Sequence, residues 1–333
     1  MWEAWPNVLF VDPEYSAWEF KDKSTKKLMD DILGVANSTL DQNLLLDSKG
    51  VVWKHSKSSP LVRIRNLPKI KAVFGTELGS MVFLDTAGFV WCWGANIHFN
   101  LGIPNNSSPK KPIKNKFLSN ISSVAISKHH SLFLTEEGRV WGCGYNCEGQ
   151  LGLGEKRSGI QREPALIENL PVIDKIAAGY HSMFLDLDGN VWVCGMNNYG
   201  ELGLKHRQTA YEPTRVADLP MIVDISAGYL HSLFLDVDGK VWSCGYNLSG
   251  QLGRSERPDS PETIADIPPI TEIEGTYRSS YLIDQDGRLW VCGEPNIQPV
   301  NFRAKLVEDF SSRIMPKMQR KQGKSARNVA STF

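Results

Sequence analysis

Short apolar runs recur along the chain, and each stops at a polar break of the same kind. "SLFLD" (232–236) and "KVWSC" (240–244) are separated by Val237, Asp238 and Gly239, and "SMFLD" (182–186) and "NVWVC" (190–194) by Leu187, Asp188 and Gly189. The runs are too short for helices and rich in Val, Phe and Trp, types that suit a pleated, buried surface. Asp and Gly between them tolerate the positive φ of a tight turn, so each pair predicts a β-hairpin. Upstream lies a third strand: "DKIAAG" (174–179), "VDISAG" (223–228) and "TEIEGT" (271–276). Leu170-Pro171, Leu219-Pro220 and Ile267-Pro268 precede these strands, and Pro there marks a turn. Segments such as "EPTRV" (212–216) offer a fourth strand. Four short strands in roughly fifty residues is the period of a propeller blade.

The hairpin carries a fixed internal spacing. Trp18, Trp53, Trp91, Trp141, Trp192, Trp242 and Trp290 each follow by six places the polar residue that ends the first run: Asp12, Asp47, Asp85, Thr135, Asp186, Asp236 and Asp284. Successive tryptophans stand 35 to 51 residues apart. A constant unit on variable connections is a repeat, and its residues belong to the architecture before they belong to any chemistry. Each end of the chain holds an incomplete unit. To leave no bare edge, the N-terminal strand is expected to complete the blade begun near Trp290. Segment 19–40, with "STKKLMDDIL", reads either as a short helix or as a polar loop leading into a strand near Val35.

Three long units agree closely: "GRVWGCGYNCEGQLG" (138–152), "GNVWVCGMNNYGELG" (189–203) and "GKVWSCGYNLSGQLG" (239–253). With the following "AGYHSMFL" type of segment, they resemble the repeat of the regulator of chromosome condensation family from about residue 75 to 295. At 88–102 Phe99 replaces the internal Gly, which predicts a distorted loop, and the units at Trp18 and Trp53 lack the "NxxGQLG" segment. The resemblance implies an all-β, seven-bladed propeller, in agreement with the hairpin count. The expected organisation is one β-propeller domain over 1–310, closed by pairing of the N- and C-terminal strands, and a basic, disordered tail over 311–333.

Composition changes little in this picture. The chain has 333 residues, 41% apolar and 22% charged, with formal net charge zero, so no global field selects nucleic acid. The tail is the exception. It holds Arg313, Lys317, Arg320, Lys321, Lys324 and Arg327 and no acid, which leaves 31 basic against 37 acidic residues over 1–310 (37 − 6 against 37). Arg320, Lys321, Lys324 and Arg327, with Lys110, Lys111, Lys114 and Lys116 of the polar loop "NNSSPKKPIKNK", are the candidate contacts to an anion or partner. The N-terminus shows no signal-peptide pattern and no apolar run approaches a membrane span. With six cysteines in so long a chain, the expected setting is intracellular and reducing, cytoplasmic or nuclear.

Candidate chemistry dissolves into the repeat. The Asp-x-Asp-Gly turns lack the third acidic position and the closing Glu of a calcium loop. Cys143, Cys194, Cys244 and Cys292 each lie two residues after the repeat Trp, at equivalent points on different blades, and would not converge on one metal. Ser182, His181 and Asp186 are the residue types of a triad, but His130, His181 and His231 share one slot and read as structural. Gly144, Gly195 and Gly245 likewise belong to the repeat. No catalytic, metal or cofactor residue emerges, and the expectation is a protein without enzymatic activity or cofactor, monomeric and without a membrane span.

Function is then expected on a propeller face. The resemblance implies a scaffold that binds another protein, such as a small GTPase or a ubiquitin-pathway component. It also implies an alternative, a guanine nucleotide exchange factor for a Ras-like GTPase. The family's namesake does this with an added β-wedge, and no such insertion stands out in repeats of 48 to 51 residues. A second alternative is chromatin or nucleic-acid association through the basic tail.

Overall fold

In the computed structural model of the chain, every strand belongs to an antiparallel meander. The structure describes residues 8–11, 15, 17–21, 24–36, 43–56, 59–76, 78–105, 108–256, 259–293 and 303–306. These fall into two compact units, one built on residues up to Ile97 with Asn106–Ile121, the other on His98–Asn105 and the described residues of Ser122–Ser311.

The smaller unit has three sheets. The first is β1 (Val8–Val11), β2 (Ala17–Lys21) and β3 (Ser24–Met29); the second is β4 (Ile32–Ala36), β5 (Asn43–Asp47), β6 (Val52–Ser56) and β7 (Ser59–Arg63). The third is β8 (Ile70–Gly75), β9 (Ser80–Asp85), β10 (Val90–Gly94) and β11 (Ile113–Lys114). The larger unit has four sheets. They are β12 (Ile121–Ile126) to β15 (Ile160–Leu166) with β13 (His130–Thr135) and β14 (Val140–Tyr145) between, and β16 (Ile173–Ala178), β17 (His181–Asp186), β18 (Val191–Gly195) and β19 (Ala210–Arg215). Next come β20 (Ile222–Ala227), β21 (His231–Asp236), β22 (Val241–Gly245) and β23 (Glu262–Thr263), then β24 (Ile270–Gly275), β25 (Ser280–Asp284), β26 (Leu289–Cys292) and β27 (Lys305–Leu306).

The second strand of each blade explains the unbroken apolar runs. β9, β13, β17 and β21 are buried at all positions, and at β17 and β21 both faces of the sheet are covered by neighbouring blades. Phe184 faces one way and packs with Leu132, Leu134 and Ile173, while Met183 and Leu185 face the other and pack with Ile222, Ile225 and Phe234. The cores therefore lie between consecutive blades.

The Asp-to-Trp offset of six has a direct cause. Asp236 Oδ1 accepts the N–H groups of Asp238 and Lys240 at 3.0 and 2.9 Å, which closes the turn, and Oδ2 accepts Trp242 Nε1–H at 2.9 Å. The same indole bond holds Trp53 to Asp47, Trp91 to Asp85, Trp192 to Asp186 and Trp290 to Asp284. At 135 the hydroxyl of Thr135 accepts Arg139 N–H instead.

Two expectations are corrected. The described residues form six four-stranded blades, not seven. The Trp18 hairpin gives a three-stranded sheet, because β1 and β2 take the second and third positions of a blade, β3 the outer one, and the described residues supply no inner strand. Nor, among the described residues, do the N- and C-terminal strands pair. β1 pairs with β2, while the last blade takes its outer strand β27 from Lys305–Leu306, against Trp290 and Val291. The segment left open between helix and loop is the edge strand β3, followed by β4. The tail, with Arg320, Lys321, Lys324 and Arg327, and Asp12 lie outside the described residues. Among the described residues no helix is long and apolar enough to cross a membrane.

Candidate protein-binding face

In the larger unit the loops joining the first two strands of each blade emerge at the same end as the "NxxGQLG" loops. Beneath them runs a buried ladder. His130 Nε2 lies 2.8 Å from Ser182 Oγ, His181 Nε2 2.7 Å from Ser232 Oγ, and His231 Nε2 3.0 Å from Ser280 Oγ, so each rung crosses to the next blade. The three hydroxyls donate to the carbonyls of Gln150, Glu201 and Gln251 at 2.6, 2.6 and 2.7 Å. Each serine has one proton and gives it to a carbonyl, so the imidazole Nε2–H must be the donor in the rung. Burial holds His130 and His181 down at about 3 and His231 at about 4, so all three are neutral. Gly195 pairs across from His181 with φ +114, and a Cβ there would stand 2.9 Å from the His181 Cα. Gly144 and Gly245 hold the same register against His130 and His231.

Above the ladder the blade corners touch backbone to backbone. Tyr180 N–H donates to the Tyr229 carbonyl and Tyr229 N–H to the Thr276 carbonyl, both at 3.1 Å. A Cβ on Gly179 would fall 2.0 Å from the Gly228 oxygen, so this approach requires glycine.

The corners carry a row of aromatic rings. Centroid separations are 4.7 Å for His98–His129, 4.6 Å for His129–Tyr180, 4.5 Å for Tyr180–Tyr229 and 4.2 Å for Tyr229–Tyr277. Tyr145 stands 5.9 Å from His129, and the Arg278 guanidinium lies 5.3 Å from the Tyr277 centroid. His129, Tyr180 and Tyr229 are half-buried, and Tyr277 is 44% exposed. Burial, then the neighbouring His98 and Lys128 charges, lowers His129 to about 4. Burial and hydrogen bonds with Tyr180 and Tyr277 push the Tyr229 phenol up, and a hydrogen bond with Cys147, then burial, pushes Tyr145 up to about 12. His129 is thus neutral at neutral pH, and the row offers ring faces and phenolic hydroxyls.

The other residues singled out in the sequence fall elsewhere. Ser182 meets His130 rather than His181, and Asp186 is committed to its turn and to Trp192, so the three do not assemble as a triad. Cys143, Cys194 and Cys244 donate to the carbonyls of Asn100, Gln150 and Glu201. Burial raises the Cys92 and Cys292 thiols to about 12, and they are protonated. Among the described residues no group of three or more His, Cys, Asp or Glu could hold a metal. Lys110 and Lys111 are exposed before β11; Lys114 Nζ lies 3.1 Å from the Phe89 centroid and Lys116 Nζ 5.0 Å from that of Phe117. Phe99 adopts φ 60, beside 72, 78 and 80 at Gly149, Gly200 and Gly250, so its loop keeps the shape of the others.

Sequence reasoning missed the row because its letters differ from blade to blade. The available signal was an aromatic residue after "SK", "AG", "AG" and "GT" at 129, 180, 229 and 277, where an exposed loop would otherwise be polar. It also missed Glu201, which fills the slot of Gln150 and Gln251.

Blades of this kind, four-stranded antiparallel meanders with the indole of the third strand tied to the turn, define an all-β propeller. Residues 54–298, well over half of the chain, match the model of the RCC1-like domain, and the chain belongs to the regulator of chromosome condensation family. Human Protein RCC2 is 34% identical over 145 residues, covering 43% of this chain and 27% of that protein, so the chain spans about a quarter of the length of the curated relatives that head the comparison. Among solved structures, human WBSCR16 superposes with a TM-score of 0.72 at 19% identity, over 85% of this chain and 84% of that one. Prp20p from Saccharomyces cerevisiae, reported with its binding to Gsp1p and histones, gives 0.71 at 18% identity over 89% and 82%.

Proposed function

We propose that the chain is a non-enzymatic interaction scaffold that docks a partner protein on the loop face of its larger unit. The observation that carries this reading is the aromatic row itself. Tyr is a residue type that dominates binding energy at interfaces, and rings already fixed in contact lose little entropy on binding. His129, lowered to about 4, is a weak base, and the Tyr229 phenol, pushed up, keeps its proton, which suits both to contact more than to proton transfer. Affinity capture with the full-length protein and with a 1–310 form tests the scaffold. A partner retained by both places binding on the blades, and a partner lost with the tail moves it to residues 311–333.

A second reading, exchange of guanine nucleotide on a Ras-like GTPase, is favoured by the Gsp1p binding named for Prp20p. Accelerated nucleotide release from one member of a panel of small GTPases would establish it in place of the scaffold. The basic tail supports a third, nucleic-acid contact, which requires binding that weakens steeply with salt and disappears in the 1–310 form.

A further inference from the structure

We propose that the aromatic row receives an acidic peptide segment of the partner, with Lys128 and Arg278 as its two cationic brackets. This rests on the scaffold reading above and names the chemistry of the segment that fits. The four corners read Ser127-Lys128-His129, Gly179-Tyr180, Gly228-Tyr229-Leu230 and Thr276-Tyr277-Arg278-Ser279, with two cations and no acid. Lys128 adjoins the His129 end, where its charge bears on both His98 and His129, and Arg278 lies over Tyr277 at the other end. Glu148 acts at the flank of the row, on Tyr145.

Between the brackets, from His129 to Tyr277, the row runs through three centroid steps of 4.2 to 4.6 Å. That is the reach of roughly four extended residues at about 3.3 Å each. A short peptide can lay apolar or aromatic side chains on the rings and reach a bracket at each end. Carboxylates match the planar guanidinium of Arg278 in a paired geometry and the ammonium of Lys128 as a point charge. A basic segment would meet like charge at both ends and lose affinity. The His–Ser ladder and the backbone bonds of Tyr180 and Tyr229 fix the rings beforehand, so the row is ready without rearrangement.

The test pans a phage-displayed random 12-residue library on the full-length protein, then measures the selected peptides, made synthetically with a fluorescent label, by polarisation. Variants are Tyr229→Ala, Tyr229→Phe, Lys128→Glu and Arg278→Glu, with Val237→Ala on the opposite turn as control, each checked by thermal unfolding. The expected peptides carry Asp or Glu beside aromatic or proline residues. Tyr229→Ala and each charge reversal weaken them at least ten-fold, Tyr229→Phe keeps most of the affinity, Val237→Ala changes nothing, and a Lys-substituted peptide regains binding to Arg278→Glu. No selected peptide, peptides without acidic bias, peptides that bind the row variants as they bind the native chain, or displacement by an equally long single-stranded oligonucleotide would overturn the proposal. Peptides retained by the row variants would leave the scaffold reading standing on another surface. Failure of both peptide selection and protein capture would remove that reading too.

Discussion

Glu201 to Gln is the substitution whose effect follows most directly from the blade geometry. In the sibling loops Gln150 Oε1 accepts Glu148 N–H at 3.1 Å and Gln251 Oε1 accepts Ser249 N–H at 3.0 Å. Glu201 Oε2 takes the same bond from Tyr199 N–H at 2.7 Å, but its Oε1 is buried without a partner and the residue is 0% exposed. Burial outweighs the hydrogen bonds and the Arg207 charge and raises the carboxyl from 4.5 to about 7. The native chain therefore binds this proton more tightly than the unfolded chain does. The associated stability is fully present below about pH 4.5 and is lost as pH rises through 7. At about 1.4 kcal/mol per pH unit the ceiling is ~3 kcal/mol. The amide that replaces it inherits the unpartnered Nε2 seen at Gln150, a cost of ~1 kcal/mol or more. Glu201→Gln should thus raise stability by ~1–2 kcal/mol at pH 8 and leave it equal or slightly lower at pH 5. Urea unfolding of both proteins from pH 5 to 8.5, followed by tryptophan emission, measures the difference, and groups common to the two chains cancel. A difference that does not change with pH, or a less stable variant at pH 8, refutes the reasoning.

The histidines act with the opposite sign. Burial depresses His129, His130, His181 and His231 to about 4, 3, 3 and 4, so their stability is present above pH 6.5 and lost as pH falls toward 4; the thermal midpoint should drop across that window, and a flat profile would contradict the neutral ladder. Ser232→Ala leaves His181 Nε2–H without its partner and the Glu201 carbonyl with the Cys244 thiol alone, and should cost ~2 kcal/mol in urea unfolding. Asp236→Ala removes three hydrogen bonds of one hairpin and should cost ~3 kcal/mol, against ~1 kcal/mol for Thr135→Ala, which removes the bond to Arg139 N–H and the exposed one with Glu137, both read as shifts in urea midpoint. Phe99→Gly relieves a left-handed residue, worth ~1 kcal/mol, but empties a buried ring site, worth ~3 kcal/mol, so calorimetry should find the variant less stable.

The hairpins were legible because one carboxylate fixes both the turn and the indole, and that bond writes an Asp and a Trp six places apart. The same signature led to a wrong blade count. It reports hairpins, and the Trp18 hairpin sits in a three-stranded sheet. Outer strands leave little trace: β27 is two residues long, and β3 is the edge segment "STKKLM", whose lysines suit an exposed edge and read as loop or helix. At the face, the buried ladder repeats identical letters and so drew attention. The aromatic row repeats a chemistry, His at 129 and Tyr at 180, 229 and 277, that only the packed corners bring together.

Site-specific photo-cross-linking decides between the two ends of the larger unit's blades. A photoreactive residue placed at 229 lies in the aromatic row, and one at 237 lies on an exposed hairpin turn of the same blade at the other end. With full-length protein in cell extract, cross-linking to a discrete partner from 229 and none from 237, suppressed by the selected acidic peptide, is the predicted result. Cross-linking from 237 with none from 229 would place the binding surface on the opposite face and contradict the account.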